Sequence, residues 1–153
     1  MTPYDRLAAL GLTLPQAPAA AANYLPFLRH GNDLYIAGQG PFDSTGKLRT
    51  GKVGRDLTVE QAYDDARVTG LNVLAQVHAA TGDLGRVVQV VKVPGMVNAT
   101  EDFHDHPKVI NGCSDLFVAV FGDAGRHPRS AVGMGSLPMG ISVEVEAIFA
   151  IRS

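Results

Sequence analysis

Residues 141–151, ISVEVEAIFAI, decide the fold of this 153-residue chain. In an extended strand, successive side chains point to opposite faces. Ile141, Val143, Val145, Ala147, Phe149 and Ile151 make one face wholly apolar. Ser142, Glu144, Glu146, Ile148 and Ala150 make the other. The first face requires a helical layer over it. The second mixes two carboxylates with Ile148 and Ala150, a pattern unlike a plainly solvated surface.

Working outward, Arg129–Met134 reads as a second strand, reached across a Gly-Ser-Leu-Pro turn region. Before it, a helix opens near Pro107 and ends at Gly122 or Gly125, with Val109, Cys113, Leu116, Val120 and Phe121 on one face. Arg86–Val93 is a strand, with Val88 and Val90 on one face and Val87 and Val91 on the other. The clearest helix runs from Thr58 to Gly82. Thr58 and Gln61 form a capping box, and Val59, Ala62, Ala66, Val73 and Val77 mark its buried stripe. Tyr24–His30 and Asp33–Gly38 form a hairpin across Gly31–Asn32, and Pro26 assigns its first strand to an edge or a bulge. Phe42–Gly54 is a loop. A short helix with Thr2 as its cap and Gly11 at its end opens the chain, and Gln16–Asn23 is an extended arm.

After the arm the order is β-β-α-β-α-β-β. This predicts an α/β (α+β) two-layer fold: one mixed sheet, two main helices on one face, and a short N-terminal helix and arm. The domain division is residues 1–23 for the helix and arm and 24–153 for a single domain. Two helices cannot cover both faces of the sheet. A partner subunit is therefore expected over the second face, with Glu144 near the junction.

Composition narrows the function. Hydrophobic residues are 46% and charged residues 18%, which excludes a disordered, highly charged chain. The 13 basic and 15 acidic residues give a net charge of −2, with no Lys or Arg run to follow a phosphate backbone. Nucleic acid is thus an unfavoured partner. The single cysteine, Cys113, excludes an intramolecular disulfide and a multi-cysteine zinc site. No apolar run approaches the roughly 20 residues of a membrane span, and Met1–Gly11 lacks a signal-peptide layout. The expectation is a soluble, cytoplasmic protein.

Few residues offer chemistry. Arg129 shares a strand face with Ala131 and Gly133, which gives its planar fork room to grip a carboxylate. The competing reading is an ion pair with Glu144 or Glu146. Those two carboxylates lie two apart and point the same way, so they can raise one another's pKa and supply a general base or acid. The competing reading, favoured by spacing alone, is a pair of ordinary solvent-facing residues. His104-Asp105-His106 lacks a third strong metal ligand and looks like a helix start. Cys113 sits on an apolar helix face and reads as an inert thiol. Gly133-Met134-Gly135 precedes a strand, so it is not a dinucleotide loop.

Several motifs together resemble the Rid family, also called YjgF-like. These are Gly38-Gln39-Gly40-Pro41, Asn72 on the long helix, and Asp83 before a Val-rich strand. Most specific are Arg129-Ser130-Ala131-Val132, Leu137-Pro138 and Val143-Glu144-Val145-Glu146-Ala147. The resemblance spans roughly Tyr24 to Arg152, and the preceding arm resembles the family's longer branch. It implies a chorismate-mutase-like fold and a homotrimer with sites between subunits. It also implies hydrolysis of reactive enamines and imines, such as 2-aminoacrylate, to 2-keto acids and ammonia. That chemistry uses no cofactor and no metal. Some members of the family were instead described as ribonucleases or translation inhibitors.

Residue by residue, the family's carboxylate-binding Arg falls on Arg129 and its water-positioning Glu on Glu144. Its cleft Tyr falls on Tyr24, when the Gly31 and Gly38 spacing is held. Three positions depart from the pattern. The hydroxyl residue usual before the Gly-Gln pair is Ala37, beside Gly38. The Asn usual before Asp-Phe is Glu101, and the Cys usual two after the Arg is Ala131. The expected substrate is a small carboxylate-bearing metabolite, with turnover altered by these departures. The alternatives are a non-catalytic trimeric binding protein for small carboxylates and, against the charge balance, an RNA-acting protein.

Overall fold

The computed structural model describes residues 1–153. It contains three helices and a five-stranded mixed sheet, an α+β architecture. In chain order these are α1 (Pro3–Ala9), β1 (Phe27–His30), β2 (Asp33–Gln39), α2 (Val59–Thr81), β3 (Val87–Asn98), α3 (His106–Phe121), β4 (Arg129–Met134) and β5 (Val143–Ile151). The strands lie in the order β1-β2-β5-β3-β4. All neighbours are antiparallel except β3 and β4. The expected β-β-α-β-α-β-β order is the observed one.

Local chemistry explains the helices. Thr58 Oγ1 accepts the Gln61 N–H at 3.2 Å while Gln61 Oε1 accepts the Thr58 N–H at 2.9 Å. This reciprocal cap satisfies two of the donors a helix start leaves unpaired. Thr2 and Asp5 do the same for α1. The α2 stripe of Ala62, Ala66, Val73 and Val77 is fully buried, as are Val109, Cys113, Leu116 and Val120 of α3. These side chains meet Val143, Val145, Ala147, Phe149 and Ile151 of β5 in one core. Burying each large member fully contributes about 1.5–3 kcal/mol. Leu7 of α1 joins the same core.

Four local expectations are corrected. The strand expected at Arg86–Val93 continues through Pro94 and Gly95 to Asn98, because β4 pairs with it from Val93 to Asn98. Gly95 has no side chain, and the space is filled by Ile110 of α3. Val88 and Val90 do not share a face: Val87 and Val90 are buried, and Val88 and Val91 are exposed. Two register shifts against β5, between Val87 and Gln89 and between Val90 and Lys92, break the alternation. Ser142 is not on the outer face. It precedes β5, is fully buried, and its hydroxyl donates to Asp65 Oδ2 at 2.6 Å. Finally, β1 starts at Phe27, not Tyr24. Pro26 still accepts the Ala37 N–H at 3.0 Å, but it has no N–H to continue the ladder.

Both main helices lie on one face of the sheet. Across the other face, the register aligns Leu28, Tyr35 and Ile148, and also Val132, Met96 and Glu144. Leu28, Tyr35 and Val132 are 53%, 41% and 44% exposed, so a row of large apolar groups lies uncovered beside Glu144. No helix is long and apolar enough to cross a membrane.

Candidate functional site

The end of β2 and the middle of β5 build the site. Gly38 and Glu144 face one another there. A Cβ at position 38 would collide with the Glu144 carboxylate, so the absence of a side chain makes room for the acid. The register between β2 and β5 slips between Ile36 and Gln39 at this point. Such a bulge re-aims side chains at the end of a strand.

Glu144 lies in a cleft of about 560 Å³. Its walls include Ala37, Gly38 and Gln39 of β2, Tyr24 and Pro26 ahead of β1, and Pro18–Ala22 of the arm. Phe42, Leu48, Met139 and Ile141 add apolar surface, and Glu146 stands at the margin. Burial pushes the Glu144 carboxyl above its ordinary range, and the nearby Glu146 charge adds to the rise. A half-buried carboxylate of this kind holds a proton more readily than one in water, which suits a group that must take and return protons.

The structure therefore gathers Tyr24, Ala37, Gly38 and Glu144 into one cleft. It does not bring Arg129 or Glu101 there within the chain. Arg129 pairs with the buried Val93 and points to the helical side of the sheet, whereas Glu144 pairs with Met96 on the other side. An ion pair between Arg129 and Glu144 or Glu146 is thereby ruled out within one chain. Arg129 Nη1 instead donates to Ser114 Oγ at 2.9 Å, and Nη2 donates to the Pro107 carbonyl at 3.2 Å. Glu101 is exposed on the turn after β3, beside Lys52 and Gly135.

Sequence reasoning missed two residues around Arg129. His127 Nδ1 lies 2.5 Å from the Gly125 carbonyl, which can only accept, so Nδ1 carries the proton. Nε2 must then accept, and the Ser114 hydroxyl donates to it across 2.9 Å. Ser114 Oγ keeps lone pairs for Arg129. The three side chains form a chain of fixed polarity. Burial lowers the His127 pKa, and the Arg129 charge lowers it further against the opposing Gly125 bond. No spacing rule could reveal this, because α3 and the segment before β4 meet only in three dimensions.

Other polar features serve the fold. Arg49 bridges Asp64 and Asp65, at 2.5 and 3.2 Å. The broad depression of about 630 Å³ beside them is lined by this ion-pair cluster together with Asp43, Lys47 and Glu60. Cys113 is fully buried, and burial drives its thiol pKa strongly upward, so it holds little nucleophilic thiolate.

Comparison with known proteins places the chain. A family described as "YjgF/chorismate_mutase-like, putative endoribonuclease" matches residues 4–150. A crystal structure of a protein of unknown function from Agrobacterium tumefaciens superposes with a TM-score of 0.92 at 47% identity, covering 98% of this chain and 92% of that one. Protein TCP17 of Trypanosoma cruzi is 43% identical over 145 residues, 94% of this chain and 91% of that protein. A 2-iminobutanoate/2-iminopropanoate deaminase of Dermatophagoides farinae is 28% identical over 142 residues, 92% and 95% of the two chains.

Proposed function

The chain belongs to the YjgF/chorismate mutase-like family, and from that premise we propose that it hydrolyses reactive 2-enamine and 2-imino acids to 2-keto acids and ammonia. The observation that carries this reading is the Glu144 carboxyl, half-buried beside Gly38 in an apolar cleft, with its proton affinity raised. The similarity to a 2-iminobutanoate/2-iminopropanoate deaminase supports it.

The chemistry balances on one carboxylate. Glu144 takes a proton from water as the water oxygen bonds to the imine carbon and the C=N electron pair moves to nitrogen. The resulting carbinolamine receives that proton on nitrogen. The C–N bond then breaks, its electron pair leaving with ammonia, while the hydroxyl oxygen closes to C=O and its proton passes through Glu144 to the departing ammonia. The sum is iminium acid plus water to keto acid plus ammonium. An enamine enters the same route after protonation at carbon.

The substrate carries a carboxylate, yet the cleft offers Glu144 and Glu146 and no cation. An anion would be repelled by a site so lined. The missing charge is best supplied by Arg129 of another copy, at a site completed between the subunits of a homotrimer. Arg129 suits this role, since β4 lies at the edge of the sheet and the two contacts that hold the guanidinium leave N–H groups free. The exposed Leu28, Tyr35 and Val132 favour a covering partner on the Glu144 face.

Ala37 lines the cleft without a hydroxyl and favours a second reading, a binding protein for small carboxylates without turnover. One assay separates the two. Imino acid is generated in place by an amino-acid oxidase, and its decay is followed with and without the protein. Faster decay is expected. A rate equal to that in buffer, with 2-keto acids still bound, would leave the binding protein alone standing.

A further inference from the structure

We infer that this site takes 2-imino acids with a bulky apolar side chain, and that the Pro18–Ala22 stretch of the arm is the wall that sets the preference. The inference deepens the functional reading above and rests on it.

Size is the first argument. The walls that one chain supplies enclose about 560 Å³ before Arg129 of another copy is added, within the range of about 300–1,000 Å³ that holds drug-sized ligands. A three-carbon imino acid would occupy a small part of it and leave water against apolar walls. A long substituent would displace that water and bury apolar surface, which favours binding in proportion to the area covered.

Lining chemistry is the second. The polar side chains of the cleft are Tyr24, Gln39, Glu144 and Glu146. Gln39 is already engaged: its Nε2 donates to the Ala37 carbonyl at 3.0 Å, and its Oε1 accepts from Gln76 at 3.3 Å. The Tyr24 hydroxyl accepts the Ala21 N–H at 3.2 Å. The two glutamates oppose an acidic substituent. Within one chain no hydroxyl of Ser or Thr and no cation lines the cleft, Ala37 adds none, and the Arg129 proposed from another copy is taken up by the substrate's own carboxylate. The remaining surface is suited to hydrocarbon.

The arm's attachment is the third. Gln76 of α2 is 1% exposed, and its Nε2 donates to the Pro18 carbonyl at 2.7 Å. Its buried Oε1 has no partner, so the hydrogen bonds of this amide run entirely through its N–H groups, toward the arm and Gln39. Together with the Ala21–Tyr24 bond, this fixes an otherwise irregular segment as a wall of the cleft. Its alanines are short, and lengthening one narrows the cleft without touching Glu144.

The test uses the full-length protein and two readouts. Calorimetry compares 2-oxobutanoate, 4-methyl-2-oxopentanoate, phenylpyruvate, 2-oxoglutarate and 5-guanidino-2-oxopentanoate as ligands. Oxidase-coupled turnover compares the imines of alanine, leucine and phenylalanine. The bulky apolar keto acids should bind at least tenfold tighter than 2-oxobutanoate, and turnover should follow the same order. Ala20→Phe should shrink that preference at least fivefold. Ala22→Leu, at an exposed position, should reduce it in the same direction if Ala20→Phe folds poorly. Equal or tighter binding of 2-oxobutanoate, tightest binding of the acidic or the guanidino acid, or an unchanged preference in folded arm variants would overturn the inference. Tight binding of bulky keto acids without imine turnover would instead sink the deaminase reading and leave this ligand class standing. Fastest turnover of the alanine imine would do the reverse, and no binding of any keto acid would end both.

Discussion

The carboxylate of Glu144 occupies the space in which a side chain at position 38 would begin. The two residues sit on neighbouring strands β2 and β5, and a side chain added at position 38 would displace the carboxylate. Gly38→Ala should push Glu144 out of line with its substrate. A misplacement of about 1 Å can cost about a hundredfold in rate. A loss of that order in kcat/KM is expected, with near-native circular dichroism. Unchanged kinetics would show that Glu144 is not held in place by this contact.

Glu144→Gln should abolish most turnover and yet stabilise the fold at neutral pH. The folded pKa of Glu144 is raised, by burial first and by Glu146 second. Its contribution to stability is therefore fully present below the unfolded pKa and is lost as pH rises through the folded value. At pH 7 the wild type carries a desolvated charge that glutamine lacks. Melting curves should place the variant above the wild type at pH 7, with the difference vanishing near pH 4. A variant less stable at pH 7 would contradict the burial argument.

Arg129→Lys keeps the charge and loses the planar fork, so 2-keto acid binding should fall by at least tenfold. Calorimetry with the wild type as reference checks this. Equal affinity would remove Arg129 from the carboxylate site.

Ser114→Ala removes the acceptor that holds Arg129 Nη1 and leaves His127 Nε2 without a donor. A hydrogen bond to a charged group contributes about 1.5–3 kcal/mol. The expectation is a rise in KM of about tenfold or more with kcat little changed, partly restored by Ser114→Thr. A fall in kcat alone would place Ser114 in the chemistry instead.

Light scattering should give a trimer at micromolar concentration, since the Glu144 face leaves Leu28, Tyr35 and Val132 uncovered. Arg substituted at Tyr35 should weaken the assembly and the activity together. A stable, active monomer would contradict the shared site.

Much of this protein was determined by its sequence alone. The period-2 alternation of residues 143–151, the Thr58–Gln61 cap and the small-residue stripe of α2 act over a few neighbouring positions, so the strand, the helix and the buried face follow from local rules. The order of elements, the two-layer architecture and the family likeness followed from these. The faces of Val88 and Val90 did not, because the bulges of β3 arise from its pairing with β5, a partner more than 50 residues away. Tertiary structure also decided which candidates meet. Arg129 and Glu144 looked like neighbours from two adjacent strands in sequence, but β3 lies between β4 and β5, and the register turns the two side chains to opposite faces of the sheet. Ser114 and His127 join Arg129, and Gln76 reaches Pro18, only where the packing of α3 and α2 brings distant segments together. Local periodicity specifies the face a side chain takes. The groups it meets depend on strand order, register and helix packing, which are settled collectively by burying one common core.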